Sequence, residues 1–422
     1  MKRRIPVSFR IFSSFITCGS LQIKLATPSV FSESLYKKGT KDGPDVTIQL
    51  QDLSDLRKIT LTPQLAIPEA YMTGRLTLID TSLEDFMIFL FCNKQSYHNT
   101  LIGRIEHHLS DMLALLKGKI ARGRAKKNVA HHYDLTDALY ECFLGETRQY
   151  SCAYFKEDSD DIDLAQRQKM AHIAAKLKLK DGGQILDIGC GWGELAYHLS
   201  LLKEKLSVKG ITLSENQLAY CNRHIIPRAQ NLQFELKDYR DEKGHYDHIV
   251  SVGMLEHVGR QSYQQFFDQI SHCLKQDGTA LIHTIGKRRA CRTTTPFIRK
   301  YIFPGGYIPT LADLSNALAK TDLHIGDIEC LHNHYAQTLR HWRMACEAKK
   351  ETLINLYDEE FYRMWRFYLA SCEYFFRLDE GVVYQIQLFK TRDKTPNIRD
   401  YIALKEQDYL EILCQTNHFG KQ

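Results

Sequence analysis

The period of hydrophobic and polar positions changes along the chain and predicts two regions of different architecture. Residues 21–25 and 46–50 alternate apolar and polar side chains, as half-buried strands do, and a Lys-Asp-Gly-Pro turn lies between them. Residues 83–91 follow with helical spacing. The pattern therefore predicts a small α+β domain over residues 1–93 and a polar, basic, helical linker over residues 94–128.

From residue 129 onward, short apolar runs alternate with segments of helical spacing. The runs predict strands at residues 185–188, 208–213, 232–236, 248–252 and 280–285. A helix and a strand (311–320 and 323–330), an aromatic helix (361–376) and a last strand (382–390) follow. This alternation is typical of a doubly wound, Rossmann-like α/β sheet. We predict one such domain over residues 129–390 and assign no role to the charged tail, residues 391–422.

A glycine-rich turn interrupts the first of these strands. The apolar run 185–188 contains Asp187 and leads into Gly189-x-Gly191-x-Gly193, after which helical spacing begins. Glycines at a strand-to-helix turn let the backbone approach a ligand closely. The spacing is tighter than the G-x-G-x-x-G that binds a pyrophosphate. It suits S-adenosylmethionine (SAM), which carries an amino acid and a nucleoside but no phosphate.

Polar residues follow the next two strands, where ligands of a doubly wound sheet bind. Thr212, Ser214 and Gln217 offer hydroxyl and amide groups where a dinucleotide site favours an acid. Ser214 and Gln217 also have the spacing of a helix capping box, and both roles are compatible. Asp238, after the third strand, is either an acceptor for an adenine amino group or a turn residue.

The fourth and fifth strands carry candidates for proton transfer. Glu256 and His257 come directly after the fourth strand, and a carboxylate beside an imidazole at a strand end is suited to acid–base work. His283 lies within the fifth strand and points toward the same edge. Its alternative role is that of a hydrogen-bonded core residue.

Composition narrows the class of protein. The 422 residues are 44% hydrophobic and 25% charged, as in a globular protein of two domains. No apolar run is long enough to span a bilayer, and the first twenty residues, interrupted by Arg10 and three serines, predict an amphipathic helix rather than a signal peptide. The twelve cysteines form no C-x-x-C pair or zinc-finger spacing, which predicts a cytoplasmic protein without a structural metal.

The net charge of +6 is distributed unevenly. One basic cluster consists of Lys117, Lys119, Arg122, Arg124, Lys126 and Lys127. The other consists of Lys287, Arg288, Arg289, Arg292, Arg299 and Lys300. Such clusters attract phosphates of nucleic acid or anionic lipid, at about 1 kcal/mol per charge near a membrane. The alternative is a solvated helix or linker.

Seven segments in order resemble one enzyme family. They are Tyr-Ser-Cys-Ala-Tyr-Phe (150–155), Leu-Asp-Ile-Gly-Cys-Gly-Trp-Gly (186–193), Gly-Ile-Thr-Leu-Ser (210–214), Val-Ser-Val-Gly-Met-Leu-Glu-His-Val-Gly (250–259), His-Thr-Ile-Gly (283–286), Tyr-Ile-Phe-Pro-Gly-Gly (301–306) and His-Tyr-Ala-Gln-Thr-Leu-Arg-His-Trp (334–342). Together they closely resemble cyclopropane-fatty-acyl-phospholipid synthases and the related mycolic acid methyltransferases, over about residues 129–390.

The resemblance implies transfer of a methyl group from SAM to the double bond of an unsaturated acyl chain, with closure to a cyclopropane. The enzyme must align a weakly nucleophilic alkene in a dry pocket. Aromatic rings can stabilise the resulting carbocation, and the candidates are Tyr154, Phe155 and the rings of residues 361–376. The alternative role of these rings is that of core residues. Family members are thought to hold a bicarbonate as base. The matching positions are Cys152, Glu256, His283, Ile285 and Tyr335, and Cys372 matches a cysteine described as active, for which a lining role is the stronger interpretation.

The resemblance also defines a SAM site and a cellular setting. The predicted cofactor-binding residues are Tyr150, Ser151, Asp187, Gly189, Cys190, Gly191, Gly193, Thr212, Ser214, Gln217, Asp238 and Tyr239. The implied partners are a phospholipid membrane surface on the cytoplasmic side, docked in part through the N-terminal domain, and a second copy of the chain in a homodimer. No RNA-binding module or Asn/Asp-Pro-Pro-Tyr motif is present, so nucleic acid is not expected as a partner.

Two alternatives stay open at the level of sequence. One is a SAM-dependent methyltransferase of a small-molecule amine, against which the N-terminal domain argues, because such enzymes usually lack it. The other is a non-catalytic lipid-binding homologue, against which Asp187, the glycine turn, Glu256 and His283 argue.

Overall fold

The computed structural model describes residues 5–27, 34–100, 103, 136–289 and 294–415. The chain divides into two compact units. The first unit comprises residues 1–118, 291–304 and 339–380, and the second unit comprises residues 119–290, 305–338 and 381–422. This grouping differs from the boundaries expected at residues 93, 128 and 390, because the long aromatic helix joins the first unit and the charged tail joins the second.

The first unit contains a four-stranded sheet. Its strands are β1 (Cys18–Leu25), β2 (Ser34–Lys38), β3 (Lys41–Leu50) and β4 (Leu76–Leu78), in the order β2-β1-β3-β4. β1 runs parallel to β3, whereas the pairs β1–β2 and β3–β4 are antiparallel. Leu21 and Ile23 are buried, as the alternating pattern predicts.

Helices of distant sequence position pack together in the first unit. Their bounds are Val7–Ser13, Leu53–Leu61, Pro63–Met72, Leu83–His98, Lys350–Leu356 and Glu359–Leu378, and the helix His334–Ala348 contributes its second half. The buried guanidinium of Arg343 bonds to Glu84 (2.8 Å) and Glu373 (3.0 Å), which lie on two of the other helices. Because a buried charge needs such partners, Arg343 ties the N-terminal sequence to residues 339–380.

The second unit contains a seven-stranded sheet. Its strands are β5 (Gln184–Ile188), β6 (Ser207–Thr212), β7 (Leu232–Leu236), β8 (Tyr246–Val252), β9 (Leu274–Lys287), β10 (His324–Leu331) and β11 (Gly381–Phe389). The order is β10-β11-β9-β8-β5-β6-β7, and β11 is antiparallel to both of its neighbours while the others are parallel. The strand order reverses at β5, which confirms the predicted doubly wound sheet.

Helices cover the second unit's sheet, and their bounds are Asp137–Glu141, Ile162–Leu177, Glu194–Ser200, Glu215–Tyr220, Leu255–Val258, Tyr263–Cys273, Leu311–Leu318 and Asp400–Gln415. The last of these, called here the C-terminal helix, lies in the tail to which the sequence assigns no role. Its Ile402, Tyr409 and Leu413 belong to the same buried apolar cluster as Ile173 and Leu177 of the helix Ile162–Leu177, called here the His172 helix. The tail is therefore an integral part of the second unit.

Part of the predicted linker and its basic cluster (residues 117–127) lie outside the described residues. Within them, the helix Leu83–His98 extends into the stretch assigned to the linker. No helix among the described residues is long and apolar enough to cross a membrane.

Candidate active site

A pocket lies at the carboxyl ends of β5, β6 and β8, where the strand order reverses. Ten of the twelve residues predicted to bind SAM line it. They are Tyr150, Ser151, Asp187, Gly189, Cys190, Gly191, Thr212, Gln217, Asp238 and Tyr239. The walls also include Arg148, Trp192, Met254 and His257, which the sequence analysis does not assign to the cofactor. Parallel strands thus bring residues about 90 positions apart to one edge of the sheet.

The glycine turn gives the pocket one open wall. Gly189, Gly191 and Gly193 all have positive φ values, of 80°, 56° and 81°. A Cβ atom on Gly191 would meet nothing within 4 Å, so this backbone faces free space, whereas one on Gly193 would lie 2.8 Å from the ring of Phe234. Gly191 therefore permits a ligand to approach, and Gly193, which does not line the pocket, permits the helix that follows to pack closely.

Thr212, Ser214 and Gln217 form a hydrogen-bonded corner after β6. The Thr212 hydroxyl donates to Oε1 of Gln217 (2.9 Å), and the Ser214 hydroxyl accepts from the Gln217 backbone N–H (3.3 Å). The helix cap predicted for Ser214 is present, but the Gln217 side chain turns toward Thr212 instead of completing a capping box. Ser214 does not line the pocket, so its role here is to hold the corner.

Asp238 lines the pocket with its carboxylate already engaged. Nε of Arg240 donates to Oδ1 of Asp238 (2.8 Å), a second guanidinium nitrogen bonds to Oδ2, and the Arg240 backbone N–H also donates to Oδ1 (3.0 Å). The carboxylate also caps the short 3-10 turn that begins at Tyr239. The expected contact to an adenine amino group stays a prediction. It requires a lone pair on the Asp238 carboxylate that does not already accept from Arg240.

Lys169 is a functional candidate that the sequence analysis missed. It is fully buried in the His172 helix, and its Nζ donates to Oε1 of Gln149 and Oγ of Ser151 (2.8 Å each). Burial lowers the pKa of Lys169 to about 7 and raises the pKa of the neighbouring Asp187 to about 7, while the attraction between the two charges opposes both shifts. In the sequence, Lys169 lies four residues from both Ala165 and Ile173, and helical residues with this spacing share one face. A lysine on such an apolar face is the sequence signal for this buried charge.

Glu256 is held by the backbone of β9. The Ile285 backbone N–H donates to Oε1 of Glu256 (2.6 Å), while Oε2 is buried without a hydrogen-bond partner among the described residues. Burial raises the pKa of Glu256 to about 7, although the backbone hydrogen bond opposes the shift. A protonated, hydrogen-donating carboxyl is therefore well populated near neutral pH.

Cys152 and His283 share the buried Lys169 as a charged neighbour. The Lys169 charge influences the pKa of both, but burial dominates, raising the pKa of the Cys152 thiol and lowering that of His283 well below its usual value. The His283 carbonyl accepts from the Gly253 backbone N–H (2.9 Å), at the start of the loop that leads to Glu256. The structure therefore brings Cys152, Glu256, His283 and Ile285 to the same end of the sheet.

Tyr335 lies in the first turn of the helix against which the Cys152 segment packs. The backbone N–H of Ala153 donates to Oγ1 of Thr338 (3.0 Å), and that of Phe155 donates to Nδ1 of His334 (3.1 Å). Tyr335 itself is buried within this first turn of the helix His334–Ala348. It thus belongs to the element that lines the Cys152 segment.

The proposed aromatic stabilisers occupy different surroundings. The ring of Tyr154 stacks on the imidazoles of His172 (4.3 Å between centroids) and His334 (4.9 Å), which favours the core role left open for it, and its contact with a substrate cation stays a prediction. Phe155 is buried against Ala153 and Ala165. Cys372 and the aromatic helix Glu359–Leu378 belong to the first unit, and their expected roles stay predictions.

The pocket has the chemistry that SAM requires. Asp187 Oδ2 is buried without a partner among the described residues, and an amino acid ammonium group can satisfy it. Gly191 exposes open backbone, and the Thr212–Gln217 corner supplies hydroxyl and amide groups for a ribose. The same described residues contain no group of three potential metal ligands.

Comparisons with known proteins identify the group to which this site belongs. A family model described as mycolic acid cyclopropane synthetase matches residues 121–386. The cyclopropane-fatty-acyl-phospholipid synthase of Escherichia coli K12 is 35% identical over 293 residues, which are 68% of this chain and 75% of that protein. A probable fatty acid methyltransferase of Pseudomonas putida is 36% identical over 259 residues, 59% of this chain and 65% of that protein. The chain therefore spans slightly less than two thirds of the second relative.

A solved structure shares the fold of much of this chain. The mycolic acid cyclopropane synthase CmaA1, in complex with SAH and CTAB, superposes with a TM-score of 0.59 at 32% identity, over 62% of this chain and 97% of that one. The match confirms the α/β fold predicted from the sequence.

Proposed function

Because the chain belongs to the mycolic acid cyclopropane synthetase family, we propose that it transfers a methylene group from SAM to the cis double bond of unsaturated phospholipid acyl chains. The coarser statement, a SAM-dependent cyclopropane synthase or methyltransferase acting on lipids, follows from the family itself. One observation carries the finer proposal. A pocket suited to SAM and a buried carboxyl of raised pKa, Glu256, lie at one end of the same sheet.

SAM supplies an electrophilic methyl group when it is bound. The chain's own contribution is to orient it: Asp187, the open backbone at Gly191 and the Thr212–Gln217 corner are proposed to hold its amino acid and ribose. Orientation counts for much here because an alkene is a weak nucleophile. Placing two reactants in a near-attack geometry can contribute about 7–11 kcal/mol to lowering a barrier.

Methyl addition to an alkene leaves a carbocation on the acyl chain, and closure to a ring requires loss of a proton from the added methyl group. We propose that Glu256, His283 and Tyr335 would hold a bicarbonate, which would supply the base for this proton. A protonated Glu256 can donate a hydrogen bond to an anion, and its raised pKa supports that form. The Ile285 N–H already bonds to Glu256, so the anion would rely on side-chain donors.

The test incubates the purified full-length chain with methyl-labelled SAM and vesicles of cis-unsaturated phospholipid, followed by mass spectrometry of the fatty acids. A labelled product that has gained one labelled methylene group and retains no double bond identifies a cyclopropane. A labelled methyl-branched or hydroxylated acid would overturn ring closure while keeping the methyl transfer, and labelling confined to a soluble amine would overturn the lipid proposal.

Glu256→Gln is the matched variant for this assay, because it keeps the shape of the side chain and removes its acidic proton. We expect the yield of cyclopropane to fall by about 10²–10⁴-fold, the usual contribution of a positioned acid or base. Binding of SAM, followed by titration calorimetry, should be unchanged. An unaltered lipid product would remove Glu256 from the mechanism.

We also propose that the chain acts at the surface of the phospholipid membrane, on the cytoplasmic side. The support is the pair of basic clusters in the sequence, at residues 117–127 and 287–300, because an exposed charge can contribute about 1 kcal/mol near anionic lipid. Lys287 is buried and Lys300 pairs with Glu69, so these two charges are not counted. Co-sedimentation in low salt with anionic and with neutral vesicles measures this directly. Equal partitioning onto the two kinds of vesicle would contradict it.

A further inference from the structure

A chain of six buried or half-buried polar side chains runs through the second unit away from the pocket. Its members, in order of contact, are His283, Gln385, Lys176, Glu329, His172 and Glu406. They come from β9, β11, the His172 helix, β10 and the C-terminal helix. Only His283 has a role in the proposed function, so the remaining five need a physical explanation.

The orientation of the Gln385 amide follows from its two neighbours. Nζ of Lys176 lies 2.9 Å from Oε1 of Gln385, and a lysine ammonium has only hydrogens to donate. The amide oxygen therefore faces Lys176, and the amide nitrogen faces the other way. That nitrogen lies 3.2 Å from Nδ1 of His283, so Nδ1 must accept a hydrogen bond.

The protonation of His283 is then determined as well. Burial lowers its pKa well below the usual value, and the positive charges of Lys169 and Lys176 lower it further. The ring is therefore neutral and carries a single hydrogen. Since Nδ1 accepts, that hydrogen resides on Nε2, which becomes a donor.

The rest of the network holds the lysine that orients Gln385. Burial lowers the pKa of Lys176, but contact with Glu329 and the nearby Asp327 (3.8 Å) favours its charged form. Nε2 of His172 lies 2.6 Å from Glu329, and its Nδ1 lies 2.9 Å from Oε2 of Glu406. Burial alone would raise the pKa of both carboxyls, but hydrogen bonds from His172 and the neighbouring lysines hold both below their usual range.

We propose that Gln385 is a positioning residue that fixes His283 as the Nε2–H tautomer, and that Lys176, Glu329, His172 and Glu406 keep its amide from turning over. Glu406 lies on the C-terminal helix, beyond residue 386, where the family match ends. In this tautomer, Nε2 of His283 carries an N–H that can donate a hydrogen bond to an anionic base held as proposed above. That consequence rests on the proposed function; the tautomer itself does not.

The deciding experiment records long-range ¹H–¹⁵N spectra of the full-length protein labelled with ¹⁵N-histidine, at pH 8. The His283 signals are identified by their loss in His283→Gln. We expect a protonated Nε2 and an unprotonated Nδ1 in the wild-type chain. A protonated Nδ1 would overturn the proposal without any need for a further variant.

Gln385→Glu tests the cause, because a carboxylate can only accept and Lys176 remains beside it to balance the charge. We expect the His283 proton to appear on Nδ1. The turnover number should fall by about 10²-fold or more with the KM for SAM unchanged, because the wrong histidine tautomer slows a Ser-His-Asp triad by about 10⁴-fold. The matched control is Gln387→Leu, two positions along β11, where the amide bonds to Lys176 O and Tyr401 instead.

The control should leave the His283 tautomer unchanged, and an unshifted tautomer in Gln385→Glu would refute the assignment. A wild-type chain with the expected tautomer but no lipid product would instead refute the proposed function alone. Variants of Glu406 test the far end of the network. Glu406→Leu should reduce the turnover number without altering the KM for SAM, and Glu406→Gln should retain most of the wild-type turnover number. Glu411→Leu, on the exposed side of the same helix, is the matched control and should have no effect. Equal activity of Glu406→Leu and Glu411→Leu would exclude the C-terminal helix from the network.

Discussion

At the scale of single residues, burial decides what each candidate side chain can do. Asp187, near the end of β5, and Glu256, shortly after β8, are both recognisable from their place in the sequence, yet the raised pKa of each comes from the surrounding atoms. Lys169 shows the opposite case, because nothing in its immediate neighbours in the sequence marks it as an active-site residue. Its partners Gln149 and Ser151 come from about 20 positions earlier. Residue type is therefore predictable here, and protonation is not.

Glu256→Gln should change how the stability of the chain depends on pH. Burial raises the pKa of Glu256 from 4.5 to about 7, so the folded state binds this proton more tightly than the unfolded state. The carboxyl therefore contributes stability below about pH 4.5, and the contribution is lost as the pH rises through about 7. The difference corresponds to about 3 kcal/mol.

Urea denaturation of both proteins at pH 5 and pH 8 measures this effect. The wild-type chain should lose up to about 3 kcal/mol relative to Glu256→Gln between these two values. Asp187 and Lys169 titrate in both proteins, so their contributions cancel. A difference that stays constant with pH would contradict the raised pKa.

At the scale of elements, the strands and helices of the second unit follow the sequence pattern closely, but the tail does not disclose its role. The predicted strand at residues 232–236 is observed as Leu232–Leu236, and that at 248–252 begins two residues earlier, as Tyr246–Val252. The C-terminal helix reads as charged and solvated along most of its length. Three of its apolar residues nevertheless pack in the core, because the His172 helix offers them an apolar surface.

Leu413→Ala should destabilise the chain, since this side chain is completely buried against the core of the second unit. A buried leucine replaced by alanine loses about 2–5 kcal/mol through lost burial and the cavity left behind. Leu404, on the same helix, is 70% exposed and gives the matched control, with an expected change within about 0.5 kcal/mol. Thermal or urea denaturation compares the two, and equal effects would show that the helix does not pack as described.

At the scale of the whole molecule, the chain builds each unit from segments that are far apart in sequence. The first unit needs residues 339–380 in addition to its N-terminal sequence. Nε of Arg363 donates to the Tyr71 carbonyl (2.8 Å), and the ring of Tyr71 packs on that of Phe367 (5.4 Å between centroids). A boundary drawn near residue 93 would cut through this unit.

A fragment of residues 1–118 should therefore fail to fold alone. Without Phe367 and Glu373, the apolar surface of Tyr71 is exposed and the N-terminal helices lose their partners. Circular dichroism and ¹H–¹⁵N spectra should show a largely unfolded chain, whereas the same segment joined through a flexible linker to residues 339–380 should recover helix and dispersed signals. A well-dispersed spectrum of the short fragment would contradict this account.

The sequence by itself determined the class of fold, the strand–glycine turn–helix at residues 184–200 and ten of the residues that line the pocket. These features depend on the local period of hydrophobic residues and on the conformational freedom of glycine. Both can be recognised from short stretches of sequence alone. The family resemblance likewise rests on short motifs that survive in order along the chain.

Only the tertiary structure decided which polar groups lie buried and which partner each has. It stacked Tyr154 on two imidazoles, bonded the buried Lys169 to Gln149 and brought Glu406 to His172 across 234 positions. The physical reason is that burial and hydrogen bonding depend on neighbours in space. Those neighbours come from strands and helices whose separation in sequence carries no information about their contact.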